Sequence, residues 1–138
     1  MRKIFVLQVL LTVGLVQAQI KMPHVISIAF TKQFDDATNV KWGKENAKEY
    51  EADFYLKGVK MSANYDLQGN WKETETEIAV KYLPEAVLSA IKTKYPSSTI
   101  SGAGKVEKAA HEIMYEADVK INGKKKEVES FPDGKFVK

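Results

Sequence analysis

Two periodicities alternate along this chain. Ile26, Ala29, Phe30 and Phe34 fall at the i, i+3, i+4, i+8 spacing of an amphipathic helix. Pro23 stands where a first helical turn tolerates proline, and Asp35-Asp36 marks the expected end. The period then drops to two. Tyr50, Ala52, Phe54 and Leu56 alternate with Glu51, Asp53, Tyr55 and Lys57. Lys57-Gly58 offers a tight turn, after which Val59, Met61, Ala63 and Tyr65 alternate with Lys60, Ser62, Asn64 and Asp66. This pattern predicts a hairpin with one apolar face. A turn at Gln68-Gly69-Asn70 leads into a strand from Trp71 to Ile78, and Asn39 to Trp42 reads as a further short strand.

The same succession recurs. Tyr50-Glu51-Ala52-Asp53 returns as Tyr115-Glu116-Ala117-Asp118, and the same 65-residue offset carries Gly58 onto Gly123, Gly69 onto Gly134 and Trp71 onto Phe136. Upstream the offset is 61, pairing Ala29 to Phe34 with Ala90 to Tyr95. A fixed period of this kind points to an internal duplication. The second copy then carries four extra residues between Tyr95 and Tyr115, and the reading places them in loops around Pro96-Ser97-Ser98 and Gly102-Ala103-Gly104. Its helix begins at Pro84, carries Val87, Ala90, Ile91 and Tyr95 on one face and stops at Pro96, with residues 78–83 adding a turn before it. Tyr115, Ala117, Val119 and Ile121 point inward, Asn122-Gly123 turns, Lys124 to Phe131 returns, and Pro132-Asp133-Gly134 turns into a last strand. The expected fold is α+β: a tandem duplication of a helix followed by three to four antiparallel strands. The units, about 22–77 and 78–138, form one antiparallel sheet with helices on one face.

Met1-Arg2-Lys3 followed by the apolar-rich stretch Ile4 to Val16 and by Val16-Gln17-Ala18 reads as a secretory signal peptide over residues 1–18. The apolar stretch falls short of the ~20 residues a spanning helix needs. Residues 19–138 are then one domain, expected in the periplasm or secreted, and the lack of cysteine excludes disulfides and a lipid-anchored cysteine. Arg2 and Lys3 leave with the leader, taking the net charge from +3 to +1. Nucleic acid, usually met by a basic stripe, is therefore not an expected partner, and Lys124-Lys125-Lys126 reads as a solvated hairpin turn.

Several stretches resemble the secreted bacterial PepSY-like, β-lactamase-inhibitor-like proteins: Ala37-Thr38-Asn39-Val40-Lys41-Trp42, Tyr50-Glu51-Ala52-Asp53-Phe54, Gly69-Asn70-Trp71-Lys72-Glu73-Thr74-Glu75, Leu83-Pro84-Glu85-Ala86-Val87 and Lys94-Tyr95-Pro96. The resemblance implies a tandem helix-plus-sheet fold and export. It brings no catalytic motif, and inhibition of an enzyme is implied only by analogy of shape.

With the Tyr50 phase under the helices, Glu51, Asp53 and Tyr55 of the first copy and Glu116 and Asp118 of the second fall on the open sheet face. Glu73 and Glu75 fall there, and Trp71 either joins them on the open face, unless a bulge intervenes, or tucks under a loop at the sheet edge. These eight are the candidate binding residues, and Trp71 stands out because tryptophan is enriched at binding hot spots. The plainest reading of the carboxylates is a solvated surface paired with Lys57, Lys60, Lys72 and Lys120. Such wet groups are expected to keep ordinary pKa values, which sets acid/base chemistry aside. No cofactor is expected. No metal site is expected either, although carboxylates on neighbouring strands are a weak alternative for Ca²⁺. His24, at a helix start, and His111, in a loop, read as surface side chains. The functional reading is a non-enzymatic module that engages a protein or peptide through its open face. Self-association through edge strands is the alternative.

Overall fold

The computed structural model describes residues 21–137; the expected signal peptide lies outside them. Helix α1 (His24–Gln33) is followed by strands β1 (Thr38–Lys44), β2 (Glu49–Leu56), β3 (Val59–Asp66) and β4 (Trp71–Ile78). A 3₁₀ turn (Val80–Tyr82) and α2 (Glu85–Lys94) lead into β5 (Thr99–Lys108), β6 (Ile113–Ile121) and β7 (Lys124–Ser130). The seven strands form one antiparallel sheet in sequence order. The expected last strand is reduced to a Ser130–Phe136 bridge and a Val137 amide donating to the Glu129 carbonyl at 3.0 Å.

Both predicted hairpin turns form, with positive φ at Lys57-Gly58 and Asn122-Gly123, the two-residue geometry whose twist matches the flanking strands. The register across them is continuous, Phe54 facing Met61 and Ala117 facing Val128. Pro23 and Pro84 sit at the helix N-caps, and each helix stops at an aromatic residue, Phe34 or Tyr95. Gly102 and Gly104, expected in a loop, lie within β5. The segment around them lengthens a strand instead: β5 has 10 residues where β1 has 7, with Ala103 and Gly104 paired on both sides and Gly102 paired with Asp118 of β6.

Tyr50, Ala52, Phe54, Ala63 and Tyr65 pack under Ile26 and Phe30 of α1, with Trp42, Phe34 and Trp71 at the margin. Phe30 sets its edge against Phe54 at 5.0 Å and Trp42 at 5.2 Å, an aromatic geometry that adds to area burial. Leu83, Val87 and Ile91 cover Ala103, Ala117, Val119 and Val128 in a second cluster that shares no residue with the first. Both helices lie on one face of the sheet, as the unbroken cross-strand pairing from Ala63 through Thr74, Thr76 and Lys105 to Tyr115 requires. Between the two clusters this face is polar, with Thr74, Thr76, Lys105 and Glu107.

Candidate functional site

The face without helices collects the odd-numbered residues of β2, those of β4 from Glu73 on, the even-numbered residues of β3 and β6 and those of β5 from Gly102 on, as alternation along a strand dictates. Seven of the eight sequence-predicted residues are there: Glu51, Asp53 and Tyr55 on β2, Glu73 and Glu75 on β4, Glu116 and Asp118 on β6. Trp71 is not. A bulge in β3–β4 pairing takes Asn64–Glu73 to Tyr65–Trp71, so Lys72 is the extra residue and Trp71 turns to the helix side. There it packs against the α1 cluster and donates its indole Nε1–H to Thr74 Oγ1 at 2.9 Å.

The face is concave. Asp53 on β2 and Glu127 on β7 line the same open cleft of about 520 Å³, together with Lys60, Glu75, Glu116 and Asp118. Val106 and Met114, which pair across β5–β6 on this side, are each 2% exposed although no helix covers them. Curvature and neighbouring side chains bury them instead.

Gly102 and Gly104 open the floor of the cleft. A Cβ on Gly104 would stand 2.5 Å from Glu75 Oε1, and one on Gly102 would stand 2.8 Å from Asp118 Oδ2. Strand interiors take glycine where another group must approach closely. Glu75 from β4 therefore reaches over β5 to Glu116 of β6, close enough for a hydrogen bond when one of the two carboxyl groups holds a proton. Two carboxyl groups can bond in this way only by sharing a proton. Asp118 is held by Lys125 at 3.0 Å, and Glu73 faces Lys108 at 3.8 Å.

Partial burial changes the acids. Glu51 is pushed up to about 7, by loss of water first and then by Asp53, Glu45, Glu75 and Glu73. Burial, then Glu75, Glu127 and Glu129, push Glu116 up to about 8. Glu73 and Glu75 are raised for the same leading reason, with Lys108 opposing the shift at Glu73 and the bond to Glu116 opposing it at Glu75. The expectation of wet, unperturbed carboxylates on a flat face does not hold for these four, because the face curves around them. The lysines expected to pair here also differ. Lys108 and Lys125 make the ion pairs of this face among the described residues, whereas Lys57, Lys60, Lys72 and Lys120 make none.

Sequence reasoning also missed Glu127 and Glu129. One carboxylate oxygen from each lies with one from Glu116 in a triangle no wider than 4.8 Å, so this trio has the donor type for a cation. The signal was available, since β7 alternates and Glu127 and Glu129 face Asp118 and Glu116 across the hairpin that Asn122-Gly123 predicts. His24 and His111 are exposed and take no part.

Residues 48–138 match the family described as "Putative beta-lactamase-inhibitor-like, PepSY-like". Among solved structures, a BLIP-like protein from Bacteroides fragilis shares 25% identity at a TM-score of 0.67, over 88% of this chain and 86% of that one. A DUF2874 family protein from Bacteroides uniformis shares 21% identity at a TM-score of 0.74, over 84% and 86%. A protein from Bacteroides eggerthii described as "putative periplasmic" shares 18% identity at a TM-score of 0.75, over 85% and 86%. No curated protein matches the sequence. Among the described residues no helix is long and apolar enough to cross a membrane.

Proposed function

The chain belongs to the PepSY-like, β-lactamase-inhibitor-like family, and from that premise we propose that it is an exported, non-enzymatic binding module that grips a protein partner in the concave sheet face. The observation that carries this reading is the cleft: Asp53, Lys60, Glu75, Glu116, Asp118 and Glu127 converge on one hollow, with Tyr55 beside it on β2 and 42% exposed. An exposed tyrosine next to a hollow supplies rigid contact area at small entropic cost, and carboxylates at its rim select and orient a partner. Export follows the basic start and apolar leader of the sequence and the periplasmic description of a structural neighbour. Inhibition of an enzyme is the narrower form of the proposal, supported by the family's name and the BLIP-like neighbour.

A proton-sharing carboxyl pair also serves acid/base catalysis, but that chemistry needs a site closed against water. This cleft is open, and neither the family name nor the structural neighbours carry an activity.

The test is capture of exported proteins by the wild-type domain against Tyr55→Ala and Glu51→Lys variants. A partner held by wild type and lost by both variants supports the face. Equal capture by all three rejects it. Added to β-lactamase assays, the domain should slow hydrolysis if the inhibitor form is right.

A further inference from the structure

The edge of the sheet at β7 is covered for only part of its length. Residues 135–137 lie along it: the Phe131 amide donates to the Lys135 carbonyl at 2.8 Å, and the Val137 amide to the Glu129 carbonyl at 3.0 Å. The backbone groups of Phe131 and Glu129 therefore face away from β6, and by alternation so do those of Glu127 and Lys125. Neither Lys125 nor Glu127 has a backbone partner on that side among the described residues. The tail shows that this edge accepts a strand, and the stretch at Lys125 and Glu127 is an open template for one.

Beside that stretch, on the helix side of the sheet, is a hollow of about 290 Å³ between the end of α2 and the tail, with Lys94, Tyr95, Lys126, Val128 and Phe136 in its lining. Its floor is aromatic and its rim basic. Lys94 Nζ stands 4.4 Å from the Phe136 ring centroid, and Lys126 Nζ stands 5.4 Å from that of Tyr95. Among the described residues neither ammonium has a carboxylate partner, and Lys124 has none.

Charge decides what this edge takes. Val137 occupies the position opposite Glu129, so two copies of β7 laid antiparallel have room to pair only about Lys125. That register sets Lys125 against Lys125 and Lys124 against Lys126, like charges directly opposite, which excludes a second copy. An acidic strand meets the reverse situation. Its residue opposite Lys126 lies on the helix side, about 5 Å away at Cβ, and enters the hollow between Lys126 and Lys94.

We infer that the open stretch of β7 takes an extended acidic segment of another protein as an added antiparallel strand, with one acidic side chain seated between Lys94 and Lys126 over Tyr95 and Phe136. Hydrogen bonds to the N–H and C=O groups of Lys125 and Glu127 supply affinity, and the two ammoniums select the acidic side chain. This surface is separate from the concave face, since Lys94, Tyr95, Lys126 and Phe136 are on the helix side.

The probe is N-acetyl-Thr-Glu-Thr-Glu-Thr amide, titrated into ¹⁵N-labelled domain and followed by amide shifts and amide exchange. The Lys125 and Glu127 signals should shift, and their amide protons should exchange severalfold more slowly at saturation. Methylating the threonine nitrogens removes the donors aimed at β7 when glutamate faces Lys126, and should weaken binding about tenfold. The lysine counterpart, N-acetyl-Thr-Lys-Thr-Lys-Thr amide, should bind more weakly by a similar factor. Lys94→Glu combined with Lys126→Glu alters two exposed side chains, so the variant should fold, and it should prefer the lysine peptide. Lys125 and Glu127 signals that stay put with the acidic peptide, or equal binding of its N-methylated form, overturn the proposal. Affinities unchanged by the double charge reversal overturn it as well. Slowed exchange at Lys125 and Glu127 that deepens with protein concentration, in the absence of peptide, assigns the edge to a second copy and also overturns it. None of these readouts depends on capture by the concave face, so the two surfaces stand or fall separately.

Discussion

Glu75 lies across Gly104, its Oε1 2.5 Å from where a Cβ on that residue would be. The missing side chain on β5 is what lets a β4 carboxyl meet a β6 carboxyl across an intervening strand. Gly104→Ala should therefore fold, because the group in the way is the end of a flexible side chain, but with Glu75 turned aside. Its stability cost is expected near 1 kcal/mol. The informative change is electrostatic: with the pair separated, the Glu116 titration should move down towards the ordinary glutamate range. Carboxyl chemical shifts followed against pH would show this, and an unmoved Glu116 titration would contradict the geometry.

Trp71 is a structural residue of the α1 cluster. Its indole N–H ends on Thr74, which is 4% exposed, so Thr74→Val removes the acceptor and leaves a partly buried donor unpaired. The expected loss is about 1–2 kcal/mol by urea unfolding. Partner capture by the folded fraction should be unchanged, since both residues face away from the cleft. A Thr74→Val variant of wild-type stability with impaired capture would reverse this assignment.

Periodicity made much of the fold legible before any coordinates. The helix faces of Ile26–Phe30 and Val87–Ile91, both two-residue turns and the phase that sends Glu51, Asp53, Glu116 and Asp118 to one side follow from spacing alone. Trp71 lies on the other face because a one-residue bulge at Lys72 reverses its phase relative to Glu73 and Glu75, and alternation carries no sign of such a bulge. Gly102 and Gly104 read as loop because glycine usually interrupts strands. Here two carboxyl groups need the space, and that requirement exists only in three dimensions. The concavity was hidden for a similar reason. Curvature is a property of the whole sheet, and without it the acids look wet, so their raised pKa values could not be read from β2 and β6 singly.

Gly134 tucks under the start of α2, where a Cβ would meet the Ala86 carbonyl oxygen at 2.5 Å. Gly69 does the same under α1, with the Val25 carbonyl oxygen at 3.0 Å. Both have φ near +85°, at +85 and +83. Gly58 and Gly123 share the positive φ but have nothing within 4 Å, so they isolate the backbone effect. Alanine at 58 or 123 should cost about 1–2 kcal/mol from the left-handed conformation alone. Gly69→Ala should exceed that modestly, and Gly134→Ala most of all, at roughly 3 kcal/mol, because a rigid carbonyl cannot yield as a side chain can. Unfolding midpoints for the four variants give the order directly, and a Gly134→Ala variant no worse than Gly123→Ala would mean that the turn does not sit against α2.

Stability should fall as pH rises from about 4.5 to 8. Glu51 and Glu116 have folded-state values of about 7 and about 8, above the ordinary 4.5 that the unfolded chain retains, so between those limits the folded state binds more protons. The slope of unfolding free energy with pH follows protons bound by the unfolded state minus those bound by the folded, and is negative there. The contribution is whole below about 4.5 and is lost as pH passes the folded values. Asp66 and Asp133 are shifted the other way, Asp66 by hydrogen bonds from Asn70 and Asp133 by one from the Lys135 amide, and their effect lies at or below 3.8, outside this window. Glu116→Gln keeps a hydrogen-bond donor facing Glu75 while removing the titration. It should equal wild type near pH 4.5 and exceed it at pH 9 by about 1 kcal/mol, a fraction of the 1.4 kcal/mol per unit that complete burial would give, because water in the open cleft screens the repulsion. Urea unfolding of both proteins across pH 4.5 to 9 measures the difference. Curves that stay parallel, or a wild type that gains stability towards pH 9, would show that Glu75 and Glu116 do not share a proton in the folded domain.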